Sequence, residues 1–326
     1  MRSLIRKLEP VLQLTRVTAA FAAVANVWFV ILWTWANPNE GHYQTLSDKK
    51  LWLLLLGGAC AAIGLSAFGA ALNDFLDANR DRALGLDRPL AVGSASPELA
   101  LSAVAGTLIF AALGATAFGM PAVIVTLLLA ALIIAFNTAA RFVPGVGFVV
   151  LGVIYAVQMM VPNLWLEFLA PVWLVMTHAI VVAGLTHWLA RKSPTISRRA
   201  VVVGVLGWAM CSLVLLAVAF RHAGSAGVWP AWVPLTAPVF PGVLVVAFAF
   251  LAIRRISSLG SGVRSAEKIR RYGALWMPLY ACAWLFGSGH FDYAALMGAV
   301  ALAGFLGMTA LREAYTMLEH PVGYRR

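Results

Sequence analysis

The stretch that decides how this chain is read is residues 71–94, ALNDFLDANRDRALGLDRPLAVGS. It closes an apolar run, since Leu51 to Asn73 is 23 residues without a formal charge. Asp74, Asp77 and Asp81 then arrive together and make up half of the six aspartates in the chain. What these carboxylates do depends first on what kind of segment they terminate.

The chain has 326 residues, of which 62% are hydrophobic and only 11% charged. That composition is the pattern of a polytopic membrane protein, not of a soluble domain. Cys60, Cys211 and Cys282 all lie in apolar runs and read as small hydrophobes, not as a disulfide or metal framework. The net charge of +11 does not indicate nucleic acid, because the basic residues sit in short clusters between apolar stretches.

A membrane span needs roughly 20 mostly apolar residues. The stretches that qualify are 17–36, 51–73, 98–118, 121–140, 143–161, 168–190, 200–220, 230–253, 272–288 and 293–311. The third and fourth form one uncharged run of 42 residues, Leu99 to Ala140, and Gly119-Met120-Pro121 is the place to fold it back. With the N-terminus inside, the inner segments carry 20 Lys and Arg and the outer ones 3. This bias places both termini and the loop at residues 76–97 in the cytoplasm, in the inner or plasma membrane. Arg16 interrupts any signal-peptide core, so the first helix is expected to be retained and residues 1–326 to form one membrane domain. Trp28, Trp33, Trp35, Trp52, Trp229 and Trp232, near span ends, read as interfacial anchors.

The opening stretch therefore lies at the cytoplasmic end of the second span. If the helix continues, Asn73, Asp77 and Asp81 form one stripe at i, i+4, i+8. Asp74 and Asp81, seven apart, fall within about 20° of each other on the helix wheel. A charged side chain costs roughly 2.5–3.5 kcal/mol at mid-bilayer depth, so the carboxylates must lie near the interface or line a wet cavity, with a cation. Carboxylate and amide oxygens at this spacing suit Mg²⁺, whose shell is usually completed by water and phosphate. The plainer alternative is a set of ordinary loop charges paired with Arg80 and Arg82. On the metal reading, Asp77→Asn or Asp81→Asn should remove function but leave stability nearly unchanged, by relieving like-charge repulsion.

At these residues the sequence resembles a family. Asn73, Asp74, Asp77 and Asp81, followed by Arg88-Pro89-Leu90 and Gly93, are similar to the first signature of the UbiA superfamily of membrane prenyltransferases. Arg16 resembles that family's early arginine, and Phe136 to Gly152, with Arg141, its basic turn between the fourth and fifth spans. The resemblance implies an all-α, polytopic integral membrane bundle of about 9–10 helices around a central cavity. It also implies Mg²⁺-dependent transfer of an isoprenyl group from its diphosphate to a lipophilic acceptor. Asn73, Asp74, Asp77 and Asp81 would then be the metal ligands, with the three aspartates catalytic, and Asn73, Arg16, Arg88 and Arg141 would bind substrate.

The sequence departs from the family in the connection that should carry a second acidic motif. Residues 184–201, GLTHWLARKSPTISRRAV, contain no Asp or Glu. His187, Arg191 and Lys192 are candidates to bind the diphosphate directly, since cationic side chains are good phosphate ligands. Topology alone also demands positive charge there. His178, near mid-span, reads as a hydrogen-bonded core histidine. The cluster of Arg and Lys within 254–271 reads as an inner loop facing anionic headgroups. Two other functions remain open: a non-catalytic lipid-binding or export-associated protein of this fold, and a transferase using another phosphorylated donor.

Overall fold

The computed structural model describes residues 14–15, 20–86, 88–224 and 227–319. Every regular element among them is helical: α1 (Phe21–Ala36), α2 (Tyr43–Ser47), α3 (Leu51–Ala83), α4 (Pro97–Ala115), α5 (Met120–Thr138), α6 (Pro144–Met160), α7 (Ala170–Leu189), α8 (Arg198–Ala223), α9 (Val239–Leu259), α10 (Val263–Gly287) and α11 (Phe291–Glu319). Six of these, α3, α4, α5, α7, α8 and α9, are long and apolar enough to cross a membrane, and α1, α6 and Phe291–Gly307 are shorter apolar helices. Their outward faces carry large apolar side chains, such as Leu206, Met210 and Leu213 of α8 and Val246 and Phe250 of α9, all more than 60% exposed. Such surfaces are stable only against lipid. The chain is an integral membrane protein.

Each long helix returns on its predecessor through a short connection. The residues after α3, α5, α7 and α9 therefore gather at one end, and those after α1, α4, α6, α8 and α10 at the other. The fold-back between α4 and α5 occurs at Gly119, whose φ of +94° only glycine adopts readily. Ser96 and Ser197 cap α4 and α8 by accepting hydrogen bonds from Leu99 N and Ala200 N.

α1 is the central helix. Phe29, Val30, Ile31 and Leu32 are fully buried, and α1 packs against α3, α6, α10 and α11. α3 and α4 cross at backbone contact through small residues: a Cβ on Gly64 would lie 2.7 Å from Thr107 O, and one on Gly114 would lie 2.5 Å from Ala61 N. Close crossings of this kind hold membrane helices together where the hydrophobic effect between helices is absent. Between α1, α6, α7 and α10 the seam lined by Asn26, Phe29, Met159, Val175, Met277 and Trp284 is too tight for a water molecule.

Two expectations change. Residues 254–271 are not an extended loop: α9 runs to Leu259 and α10 starts at Val263, because Ala266 and Ile269 continue an apolar face that buries against α7. Trp33 is not an interfacial anchor. It is 1% exposed, stacks on Phe29 and Phe168, and its Nε1 donates to Glu40 Oε2 at 2.9 Å.

That bond belongs to a network at the end away from the aspartates. Glu40 Oε1 also accepts from Gly41 N at 3.0 Å and from Glu167 N at 2.6 Å. Asn163 Nδ2 donates to Thr34 Oγ1 and Gly41 O, so the connections after α1 and α6 are tied together. The N–H donors favour an ionised Glu40, but burial outweighs them and pushes its carboxyl up from 4.5 to about 7. A raised carboxyl pKa means that the folded state holds a proton which the unfolded chain has already lost. The associated stability is present below pH 4.5 and is lost as pH rises through about 7. The melting temperature in detergent should therefore fall between pH 5 and 7.5 by the equivalent of about 3 kcal/mol, and Glu40→Gln should flatten that fall. Parallel pH profiles for the two proteins would mean that Glu40 is already ionised.

Candidate functional site

α3 does not stop where its apolar run ends. It continues to Ala83 and carries Asn73, Asp74, Asp77 and Asp81 on its last turns. Asp74 and Asp81 are 3% and 4% exposed. Buried carboxylates need partners, and two arginines from other parts of the chain supply them.

Arg88 folds back from the α3–α4 connection. Its Nη1 donates to Asp74 Oδ1 at 2.6 Å, and its Nε lies 3.4 Å from Asp81 Oδ2. The turn that returns it uses Gly85 and Gly93, both at positive φ. Arg82 Nη2 bonds to Leu90 O, and Leu90 buries with Ala95, Ala100 and Phe75. The Arg88-Pro89-Leu90 segment thus places a charge on one side and an apolar anchor on the other. A cavity of about 520 Å³ lies on the anchor side, lined by Phe75, Asn79, Arg82, Leu90, Gly93 and Pro97, and none of the aspartates borders it.

Arg141 comes from the 3-10 turn Ala140–Phe142 between α5 and α6. Its two terminal nitrogens donate to Asp77 Oδ1 and, at 2.9 Å, to Asp77 Oδ2, while Nη1 also reaches Asn73 Oδ1. This is the bidentate fork that guanidinium and carboxylate favour. Arg141 Nε is buried without a hydrogen-bond partner, as is Asp81 Oδ2.

Three carboxylates thus face two guanidiniums, and each acid has a cation. The expectation that Asp77→Asn would leave stability unchanged is revised on this ground: repulsion between the acids is already offset, and the substitution removes an ion pair. Among the described residues, no group of three or more His, Cys, Asp or Glu side chains is arranged to hold a metal. The donor set still suits Mg²⁺, which takes one or two carboxylates and completes its shell with water and phosphate. Asp81 Oδ2 is buried without a hydrogen bond but lies 3.4 Å from Arg88 Nε, so a metal there would share it with that guanidinium.

The other candidates fall in different places. Arg16 lies outside the described residues. His187 holds its own connection, with Nε2 on Pro194 O at 2.8 Å and its ring edge on Phe148. Arg191 ends α7 at φ +48° and is exposed. Lys192 is exposed; partial desolvation, and then the charges of Arg270 and Arg88, hold its ammonium below the usual lysine range. His178 is the core histidine expected, between Gly273 O and the Tyr280 hydroxyl.

No protein-family model and no curated protein matches the chain. Among solved structures, that of digeranylgeranylglyceryl phosphate synthase superposes with a TM-score of 0.53 at 16% identity, over 86% of this chain and 98% of the other. The chain shares the fold of that membrane synthase. A UbiA homologue from Archaeoglobus fulgidus, bound to DMAPP and Mg²⁺, aligns over 90% of this chain and 98% of its own at 14% identity, with a TM-score of 0.44. A homologue from Aeropyrum pernix K1 without ligand aligns over 91% and 98% at 18% identity, with a TM-score of 0.43. Within this bundle, the two arginines come from connections at one end and meet the acids on the last turns of α3.

The fork between Arg141 and Asp77 can be measured directly. Their side chains are 16% and 13% exposed, so each single substitution, Arg141→Met or Asp77→Asn, should lower stability by leaving a poorly solvated charge behind. The double variant should lose less than the sum, with a coupling of about 1–3 kcal/mol by thermal unfolding. Additive losses would show that the pair contributes nothing.

Proposed function

We propose that the chain is a membrane prenyltransferase that takes an isoprenyl diphosphate at the cytoplasmic end of the bundle and transfers its isoprenyl group to a lipophilic acceptor. The observation that carries this reading is the array of three aspartates and two arginines at the end of α3, in a fold of this type. A diphosphate brings two or three negative charges to an interface that excludes water poorly on one side and well on the other. Arg88 and Arg141 are positioned to exchange a carboxylate for a phosphate oxygen, a trade between partners of like charge and geometry. Arg141 Nε, buried and unpartnered, is one donor already free for such an oxygen.

In the proposed reaction the bond between the isoprenyl C1 and the bridging phosphate oxygen breaks, and its electrons leave with pyrophosphate. The acceptor's nucleophilic atom forms the new bond to C1 and loses its proton. Guanidinium groups beside the departing oxygens stabilise the charge that develops there. The apolar helices above keep water from the electron-poor isoprenyl carbon. Asn73, Asp74, Asp77 and Asp81 would hold Mg²⁺, which when bound supplies Lewis-acid neutralisation of the leaving group.

A second reading is a non-catalytic lipid-binding protein of the same fold. The pairing of every aspartate of α3 with an arginine favours it, since carboxylates so committed are less open to a metal.

Release of pyrophosphate from labelled farnesyl diphosphate, offered a panel of aromatic and lipid-alcohol acceptors, separates the two. The transferase reading expects release that depends on an acceptor and falls at least about a hundredfold in Asp81→Asn, as typical when one charge-stabilising group is removed. Tight binding of farnesyl diphosphate with no turnover for any acceptor would favour the second reading. The orientation has its own check. In a background without Cys60, Cys211 and Cys282, cysteines placed at Ser94, Ser193 and Ser261 should react only from the cytoplasmic side, and one at Thr45 only from outside. Labelling of Ser94→Cys from outside would reverse the orientation.

A further inference from the structure

The last turns of α3 present two polar faces. Asp74, Asp77 and Asp81 share the face that meets Arg88 and Arg141. Phe75, Ala78, Asn79 and Arg82, at i, i+3, i+4 and i+7, share another, roughly a third of a turn further round the helix. This second face is one wall of the cavity of about 520 Å³, and Leu90, Ala95, Ser96 and Pro97 belong to the other. Its volume falls in the range of small-molecule sites, roughly 300–1,000 Å³. The far wall is already packed, because Leu90 and Ala95 bury with Leu14 and Ala100.

Among the described residues, Arg82 is the only charged side chain that lines the cavity. Its Nη1 donates to Asn79 Oδ1 at 3.1 Å and its Nη2 to Leu90 O at 3.2 Å. A guanidinium carries five N–H groups, so three remain without a partner, and no described carboxylate pairs with Arg82. Glu98, on the first turn of α4, bonds instead to the Ser96 hydroxyl and to its own amide. An arginine fixed at two points with donors to spare is preorganised for a phosphate.

The surroundings decide which phosphate. Leu84 and Val92 of the α3–α4 connection are 60% and 58% exposed, and Leu86 and Leu99 are exposed beside them. Large apolar side chains just beyond the end of a span belong in the interfacial layer, between headgroups and acyl chains. A cavity at that level, apolar at Phe75, Leu90 and Pro97 and cationic at Arg82, complements a lipid with an anionic headgroup.

We propose that the cavity between the end of α3 and the start of α4 binds one anionic phospholipid of the adjoining leaflet, with its phosphate on Arg82 and its glycerol and first methylenes on the apolar lining. The site is separate from the aspartates and stands or falls independently of the transferase reading. Because Arg82 also holds Leu90 O, two residues beyond Arg88, the lipid braces the segment that returns Arg88 to Asp74.

The test is native mass spectrometry of the full chain, purified in detergent and titrated with phosphatidylglycerol or phosphatidylcholine. The wild type should retain one phosphatidylglycerol in preference to phosphatidylcholine. Arg82→Met should weaken phosphatidylglycerol binding about tenfold or more, the usual effect of losing one charge-assisted contact. Ala78→Phe fills the cavity without changing charge and should weaken it too, which keeps the test open if Arg82→Met disturbs the Leu90 anchor. Arg80→Met removes the same charge from the other side of α3 and should change little. Equal losses at Arg80 and Arg82 would mean general surface charge and overturn the site, as would phosphatidylglycerol binding unaffected by Ala78→Phe. A wild type that holds both lipids alike would overturn it as well. Displacement of phosphatidylglycerol by inorganic phosphate alone would assign Arg82 to a soluble anion and sink the lipid site.

Discussion

Three carboxylates on the last turns of a helix that leaves a membrane repel one another and are poorly solvated unless positive charge is brought to them. The packing at this end of the molecule is arranged around that requirement. Arg88 must come back from beyond α3, so the connection turns through Gly85 and Gly93 and anchors Leu90 underneath. Arg141 must reach across from the α5–α6 turn, which fixes α5 and α6 beside the end of α3. Each arginine is at once a counter-ion and a tie between segments.

The opposite end is closed by a different chemistry. One buried carboxyl, Glu40, accepts hydrogen bonds from Trp33, Gly41 and Glu167 and so ties the connections after α1 and α6. No basic side chain stands among these partners. The two ends therefore answer the cost of a buried acid in two ways: ion pairing beside α3, and hydrogen bonding with a raised pKa beside α1. The first joins separate segments through charge, and the second through neutral donors around a carboxyl whose proton is held more firmly than usual.

The likeness to digeranylgeranylglyceryl phosphate synthase fixes the fold, at an identity too low to carry an activity across. What sets this chain's site apart lies in its own residues: the acids of α3 and the two arginines that pair with them.

Much of this was legible in the sequence. Runs of apolar residues fix helices because an unsatisfied backbone in lipid is prohibitively costly. The glycine-proline step fixes the fold-back at Gly119, and the spacing of Asn73, Asp77 and Asp81 sets them on one stripe once the helix continues. These are local properties, set by composition and period. Which cation meets which acid was decided only by tertiary structure. Arg141 and Asp77 are 64 residues apart, and Trp33 is withdrawn from the interface to bond with Glu40 because Phe29 and Phe168 stack on it. An ion pair or a buried hydrogen bond depends on distances of a few ångströms between helices, and a one-dimensional pattern of charge and hydropathy does not contain them.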